Sequence, residues 1–150
     1  MKDIVVPIDG SSDVARVAAQ AIARYRRDAS RIHLLNVQRP LPRHISQFFG
    51  RADLAEYHLE AGMRELHKVI ALLDAAHVPH RDHVVVGKPA EEIVRFAEER
   101  PGAELLLDEE PDSMFALFGL GSIGSQVRRL MTANVPATTP PPAQDASTAG

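Results

Sequence analysis

The sequence contains no cysteine, which excludes disulfides, thiolate zinc sites, iron–sulfur clusters and a cysteine nucleophile, and fits a reducing compartment. Excess positive charge is also missing: 17 basic residues stand against 20 acidic ones, a formal net charge of −3. No global field therefore exists to hold nucleic acid. No apolar tract approaches the roughly 18 residues of a membrane span. There is no H-E-x-x-H, and a G-x-S-x-G elbow fails because Leu120 stands where its first glycine would be. What is present is a chain of 150 residues, 45% hydrophobic and 25% charged, within the globular range and long enough to bury a core. The expectation is one soluble, cytoplasmic domain without an assembled catalytic site and without a nucleic-acid or membrane partner.

Ile4 to Ile8 is a short β-branched run closed by Asp9-Gly10-Ser11-Ser12, the pattern of a strand buried on both faces. Val14, Val17, Ala18, Ala21, Ile22 and Tyr25 then fall on one helical stripe with Arg16, Gln20, Arg24 and Arg27 opposite. This predicts a helix over residues 12–28, capped by Ser11 or Ser12 and favoured by Asp13 at its positive end. Residues 31–37 form a second strand and 38–50 a loop. Leu59, Met63, Leu66, Ile70 and Leu73 mark a long helix over 51–76. A third strand follows at 83–86, then a helix opened by Pro89 with Glu91 and Glu92 in its first turn and stopped by Pro101-Gly102. A fourth strand is expected at 104–107 and a last helix at 122–132. The alternation predicts an α/β fold, a doubly wound open parallel sheet of four to five strands with helices on both faces. Ligands in such sheets bind outside the carboxyl ends of the strands, which directs attention to loops 9–12, 38–50, 87–89 and 108–122. From Pro136 onward the composition is that of a disordered tail.

Several groupings fall in or near those loops. Gly119-Leu120-Gly121-Ser122-Ile123-Gly124 satisfies G-x-G-x-x-G, but no convincing strand follows, and the acid at ribose distance would be Asp145, inside the tail. The turn is left as either a phosphate-binding helix start or a plain one. Asp108-Glu109-Glu110-Pro111-Asp112 reads as a solvated acidic loop before a cation site. His77, His80 and His83 match no common zinc spacing and read as a surface turn. Phe48-Phe49 and Met114-Phe115-Ala116-Leu117-Phe118 hold four of the five phenylalanines, and are either loop packing or a lid or partner patch.

The residues from Ile4-Val5-Val6-Pro7-Ile8-Asp9-Gly10-Ser11, Asn36-Val37 and Gly87-Lys88-Pro89-Ala90-Glu91-Glu92-Ile93 resemble the universal stress protein family over about residues 1–135. The resemblance implies strand order 3-2-1-4-5, a fifth strand that commonly pairs two subunits, and ATP binding, with magnesium only alongside the nucleotide. It places Pro7, Asp9, Val37, Gly121, Ser122 and Ile123 at the nucleotide. The ATP-binding members share G-x-x-G, nine residues, then G-[S/T]; here Gly121-Ser122 is kept, but Asp108 and Pro111 stand at the first two glycines. Carboxylates near a triphosphate oppose binding, at about 4 kcal/mol per unit-charge pair at 4 Å and an effective dielectric of 20. The resemblance therefore implies a regulatory protein with a weak or degenerate nucleotide pocket, acting through a protein partner. The alternative is an ATP-binding switch or slow ATPase using Asp9 and Gly121-Ser122. A homodimer is expected to be weak or to use Met114 to Leu120, because Pro136 and Pro140-Pro141-Pro142 leave too short a fifth strand.

Overall fold

The computed structural model describes residues 1–107 together with Val127 and Leu130. Its elements are β1 (Asp3–Pro7), α1 (Val14–Asp28), β2 (Arg31–Gln38), α2 (Arg43–Ser46), α3 (Arg51–Ala75), β3 (His80–Val86), α4 (Pro89–Glu98) and β4 (Glu104–Leu105). The four strands form one parallel sheet in the order β3-β2-β1-β4. The expected 3-2-1-4 order is thus present, and the fifth strand, the acidic run and the Met114 to Leu120 patch lie outside the described residues.

Side-chain alternation assigns the two faces. Ile4, Val6, Ile8, Ile32 and Leu34 point to a core closed by Val17, Ala18 and Ala21 of α1 and Leu66, Val69 and Leu73 of α3. Val5 and Leu35 point the other way, onto Ala90, Ile93, Val94 and Phe96 of α4 and onto Val127. A strand with covered faces on both sides needs an unbroken apolar run, and Ile4 to Val6 are all fully buried.

Five details differ from the sequence reading. The α1 cap is Asp13, whose carboxylate accepts from Arg16 N at 3.2 Å, while Ser12 Oγ accepts from Asp9 N at 3.0 Å; the serines shape the preceding turn instead. Residues 38–50 contain the short helix α2. The inner face of α3 is His58, Gly62, Leu66, Val69 and Leu73, one residue round from the expected stripe, leaving Leu59 54% exposed. A glycine and a histidine do not register as apolar, yet Gly62 lies where the helix packs tightly on Val84 of β3. Finally, β3 starts at His80, three residues before the expected start at His83, so that of the three histidines read as a surface turn only His77, in the left-handed conformation at φ 58°, precedes the strand. β3 is an edge strand and starts polar, so periodicity did not reveal its first three residues. At the other end of the sheet β4 is shorter than expected, although Leu106 N still donates to Val5 O at 2.9 Å.

His80 ties the end of α3 to the start of β3. Its Nε2–H donates to Asp74 Oδ1 at 2.8 Å and its Nδ1–H to Asp82 Oδ1 at 2.6 Å. Burial would push His80 down, but the two carboxylate hydrogen bonds outweigh it and raise its pKa. A raised histidine pKa stabilises the fold fully below the unfolded value of about 6.5, and that contribution is lost as pH rises through the folded value. The urea midpoint of the wild type relative to His80→Gln is therefore expected to shrink between pH 5.5 and 8.5. A pH-independent difference would show that the two carboxylates do not hold a charged His80.

Candidate functional site

The carboxyl ends of β1, β2 and β3 are fastened to one another. Ile8 N donates to Leu35 O and Gly87 N to Gln38 O, both at 2.9 Å. Beyond β1 the chain reverses in a turn closed by Ser12 N to Asp9 O at 3.2 Å. Within it Asp9 Oδ1 accepts from Ser11 N at 2.8 Å and from Ser11 Oγ at 2.7 Å, an arrangement for which short polar side chains are suited. Asp9 is exposed, and its Oδ2 has no partner among the described residues. The site thus offers a fixed, solvent-facing carboxylate whose second oxygen can accept from a hydroxyl or amino donor.

Behind this turn sits a polar network centred on Asn36, which is 0% exposed. Its Nδ2 donates to Ile8 O at 2.9 Å and to Glu65 Oε2 at 2.6 Å, and its Oδ1 accepts from Gln38 Nε2 at 2.8 Å. All three connections of one buried amide therefore converge on the residue before Asp9, on α3 and on the end of β2. Glu65 also reaches the turn, since its Oε1 would lie 3.8 Å from a Cβ on Gly10. One turn of α3 before Gly62, His58 is buried with Nδ1 unpartnered among the described residues.

Of the residues assigned to the nucleotide, Pro7, Asp9 and Val37 stand at this edge, at the ends of β1 and β2. Gly121, Ser122, Ile123, Asp108 and Pro111 lie outside the described residues. Glu65, Gln38 and His58 were missed by the sequence reading. Glu65 and His58 lie one residue beside the expected apolar stripe of α3, at Leu66 and Leu59, and apolar periodicity carries no signal for either. Among the described residues no group of three or more histidines and acids could hold a metal ion.

A parallel sheet in this order, with a carboxylate turn at the end of its central strand, defines an α/β protein of the ligand-binding, doubly wound type. The sequence matches the universal stress protein family over residues 1–135. The chain belongs to that family. Solved structures agree on the fold: a universal stress protein from Archaeoglobus fulgidus has 21% identity, a TM-score of 0.60 and coverage of 85% of each chain. A universal stress protein in complex with cAMP has 20% identity, a TM-score of 0.60 and coverage of 85% of this chain and 88% of its own. An Archaeoglobus fulgidus universal stress protein in complex with dAMP has 19% identity, a TM-score of 0.58 and coverage of 86% and 90%. No curated protein matches the sequence. Among the described residues no helix is long and apolar enough to cross a membrane.

Proposed function

We propose that this is a cytoplasmic stress-response regulator that binds an adenine nucleotide weakly at the carboxyl edge and acts through a protein partner. The observation that carries the reading is the Asp9 turn at the end of the central strand, a fixed carboxylate whose second oxygen has no partner among the described residues. It is supported by family membership and by the two neighbours whose structures hold cAMP and dAMP. Asp9 would accept from the nucleoside, while Pro7 and Val37 would flank it and Gly121, Ser122 and Ile123 would meet the phosphates. Glu65 beside Gly10 adds a second carboxylate to the nucleoside side, and Asp108 replaces a backbone approach with charge. Both disfavour a triphosphate without a bridging magnesium ion.

Titrating the full chain with ATP and with AMP, with and without magnesium, tests this. Dissociation constants near millimolar, tighter for AMP than for magnesium-free ATP, are expected. Micromolar ATP affinity would favour the switch or slow-ATPase reading, and no binding of either nucleotide at millimolar concentration would remove the nucleotide from the function. The double change Asp108→Gly with Pro111→Gly is expected to tighten ATP binding by removing one charge and restoring one N–H.

A further inference from the structure

On the α4 face of the sheet, away from the carboxyl-edge turn, a chain of polar groups crosses three strands. Asp3 of β1, His33 of β2 and His83 of β3 are joined by His33 Nε2 to Asp3 Oδ1 at 2.9 Å and His33 Nδ1 to His83 Nε2 at 3.0 Å. Phe96 of α4 lies edge-on to both rings, 5.8 Å from His33 and 4.7 Å from His83 between centroids. The Arg100 guanidinium stacks 3.6 Å from the Phe96 centroid, and its Nη1 donates to Phe96 O at 3.0 Å. His33 is 3% exposed and Phe96 7%. We propose that the His33–His83 pair is a proton-binding site: it accepts one added proton with α4 docked, and a second proton releases α4 from the sheet.

Proton bookkeeping leads to this. Asp3 is an acceptor, because the hydrogen bond from His33, against the effect of burial and with Arg31 nearby, holds its carboxyl below the usual value. His33 Nε2 therefore carries a hydrogen. With both rings neutral, His33 Nδ1 is bare and accepts from His83 Nε2–H. One added proton is tolerated in either of two forms. It can sit on His83 Nδ1, leaving the shared bond as it was, or on His33 Nδ1, which then donates to a His83 whose hydrogen has moved to Nδ1. A second added proton puts a hydrogen on both facing nitrogens. Two donors cannot share a 3.0 Å contact, and two cations would then stand with ring centroids 5.2 Å apart.

The surrounding charges do not relieve that state. Arg31 on β2, Arg81 on β3 and Arg100 after α4 add positive charge, against Asp3 on β1 and Asp82 on β3. Burial, then His33 and Arg100, push the His83 pKa down, so its protonated form is disfavoured in the docked state and stability falls as pH drops below about 6.5. The ligand is a proton rather than a metal: Asp3 meets the far nitrogen of His33, Nε2, while His83 meets Nδ1, and among the described residues no group of three or more histidines and acids is placed to hold a metal ion. Phe96 is the α4 side chain that touches both rings, so separation of the rings is transmitted to α4.

Two measurements on the full chain decide it. In hydrogen exchange corrected for intrinsic rate, amides of Val94, Phe96 and Ala97 are expected to lose about tenfold protection relative to α1 amides between pH 7 and 5. In His83→Gln, whose amide can still donate to His33 but holds no charge, that loss is expected to vanish. Equal pH dependence of α4 and α1 amides in the wild type, or an undiminished loss in His83→Gln, overturns the proposal. Nitrogen-15 shifts of the wild-type rings give a reading that does not depend on the variant folding: two imidazolium rings with α4 still protected would also overturn it.

Discussion

Replacing Asn36 with leucine is expected to lower the unfolding free energy by about 2–4 kcal/mol, because each buried group stripped of its partner costs about 1–3 kcal/mol. The change keeps the volume close but removes the donor to Ile8 O and to Glu65 Oε2 and the acceptor for Gln38. Ile8 is itself buried, so water does not readily replace the lost bond. The measurement is the urea midpoint at unchanged slope. Adding Glu65→Leu is expected to recover part of the loss, since it removes the stranded carboxylate, and the coupling in that double-mutant cycle isolates the pair. Asn36→Asp should be worse than leucine at pH 7 and better at pH 4, because it faces one carboxylate with another. A loss below about 1 kcal/mol for Asn36→Leu would mean that the network is not holding the end of β1.

Gly62→Ala is the second large effect expected, and its sign comes from two opposed contributions. Alanine in a helix interior is favoured over glycine by about 1 kcal/mol. Here, however, the added Cβ would lie 2.5 Å from Val84 Cγ1, 2.7 Å from Val84 Cγ2 and 3.0 Å from Asn36 Oδ1. A branched valine on a strand has no flexible end to move aside, and overpacking costs about 1–3 kcal/mol. The net expectation is a destabilisation of about 0–2 kcal/mol, toward the upper end because the contact with Val84 is so short. Combining Gly62→Ala with Val84→Ala should yield a favourable coupling of about 1 kcal/mol or more, as neighbours sharing one space do. A Gly62→Ala protein more stable than wild type would place the closest approach of α3 to the sheet elsewhere.

The pattern of the chain made most of the fold legible. Ile4 to Ile8 has the apolar run of a doubly covered strand, and Pro89, Glu91 and Glu92 announce α4 where it starts. The features that escaped are those in which tertiary contact overrides local pattern. Gly62 and His58 hold the inner face of α3 because a close approach demands a small residue at one and buries the other, and neither property is visible in an apolar periodicity. The first three residues of β3 escaped because they are polar on an exposed edge strand, with Arg81 and Asp82 exposed, and the packing of His83 under Phe96 is a tertiary contact that no local pattern marks. The Asp9 turn was legible as a ligand-edge loop from position alone. The hydrogen bonds that fix it come from β2 and α3, and only the three-dimensional pairing brings Asn36 and Glu65 to it.

Among the described residues, the buried members of the core formed with α1 and α3 run from Ile4 to Val78, and β2 is paired with β1 over residues 31–35 and with β3 over residues 32–38. β1, α1, β2, α3 and β3 thus share one interior built from two successive crossovers, while Val5 and Leu35 on the opposite face of β1 and β2 are covered by α4. β4 is joined to β1 by a two-residue ladder, with Glu104 held laterally by Lys2 at 2.5 Å and by Arg24. Free energies of opening therefore differ across the molecule. The α4 layer is thus separate packing from the α1–α3 interior: opening of α4 alone would bare Val5 and Leu35 while leaving that interior covered.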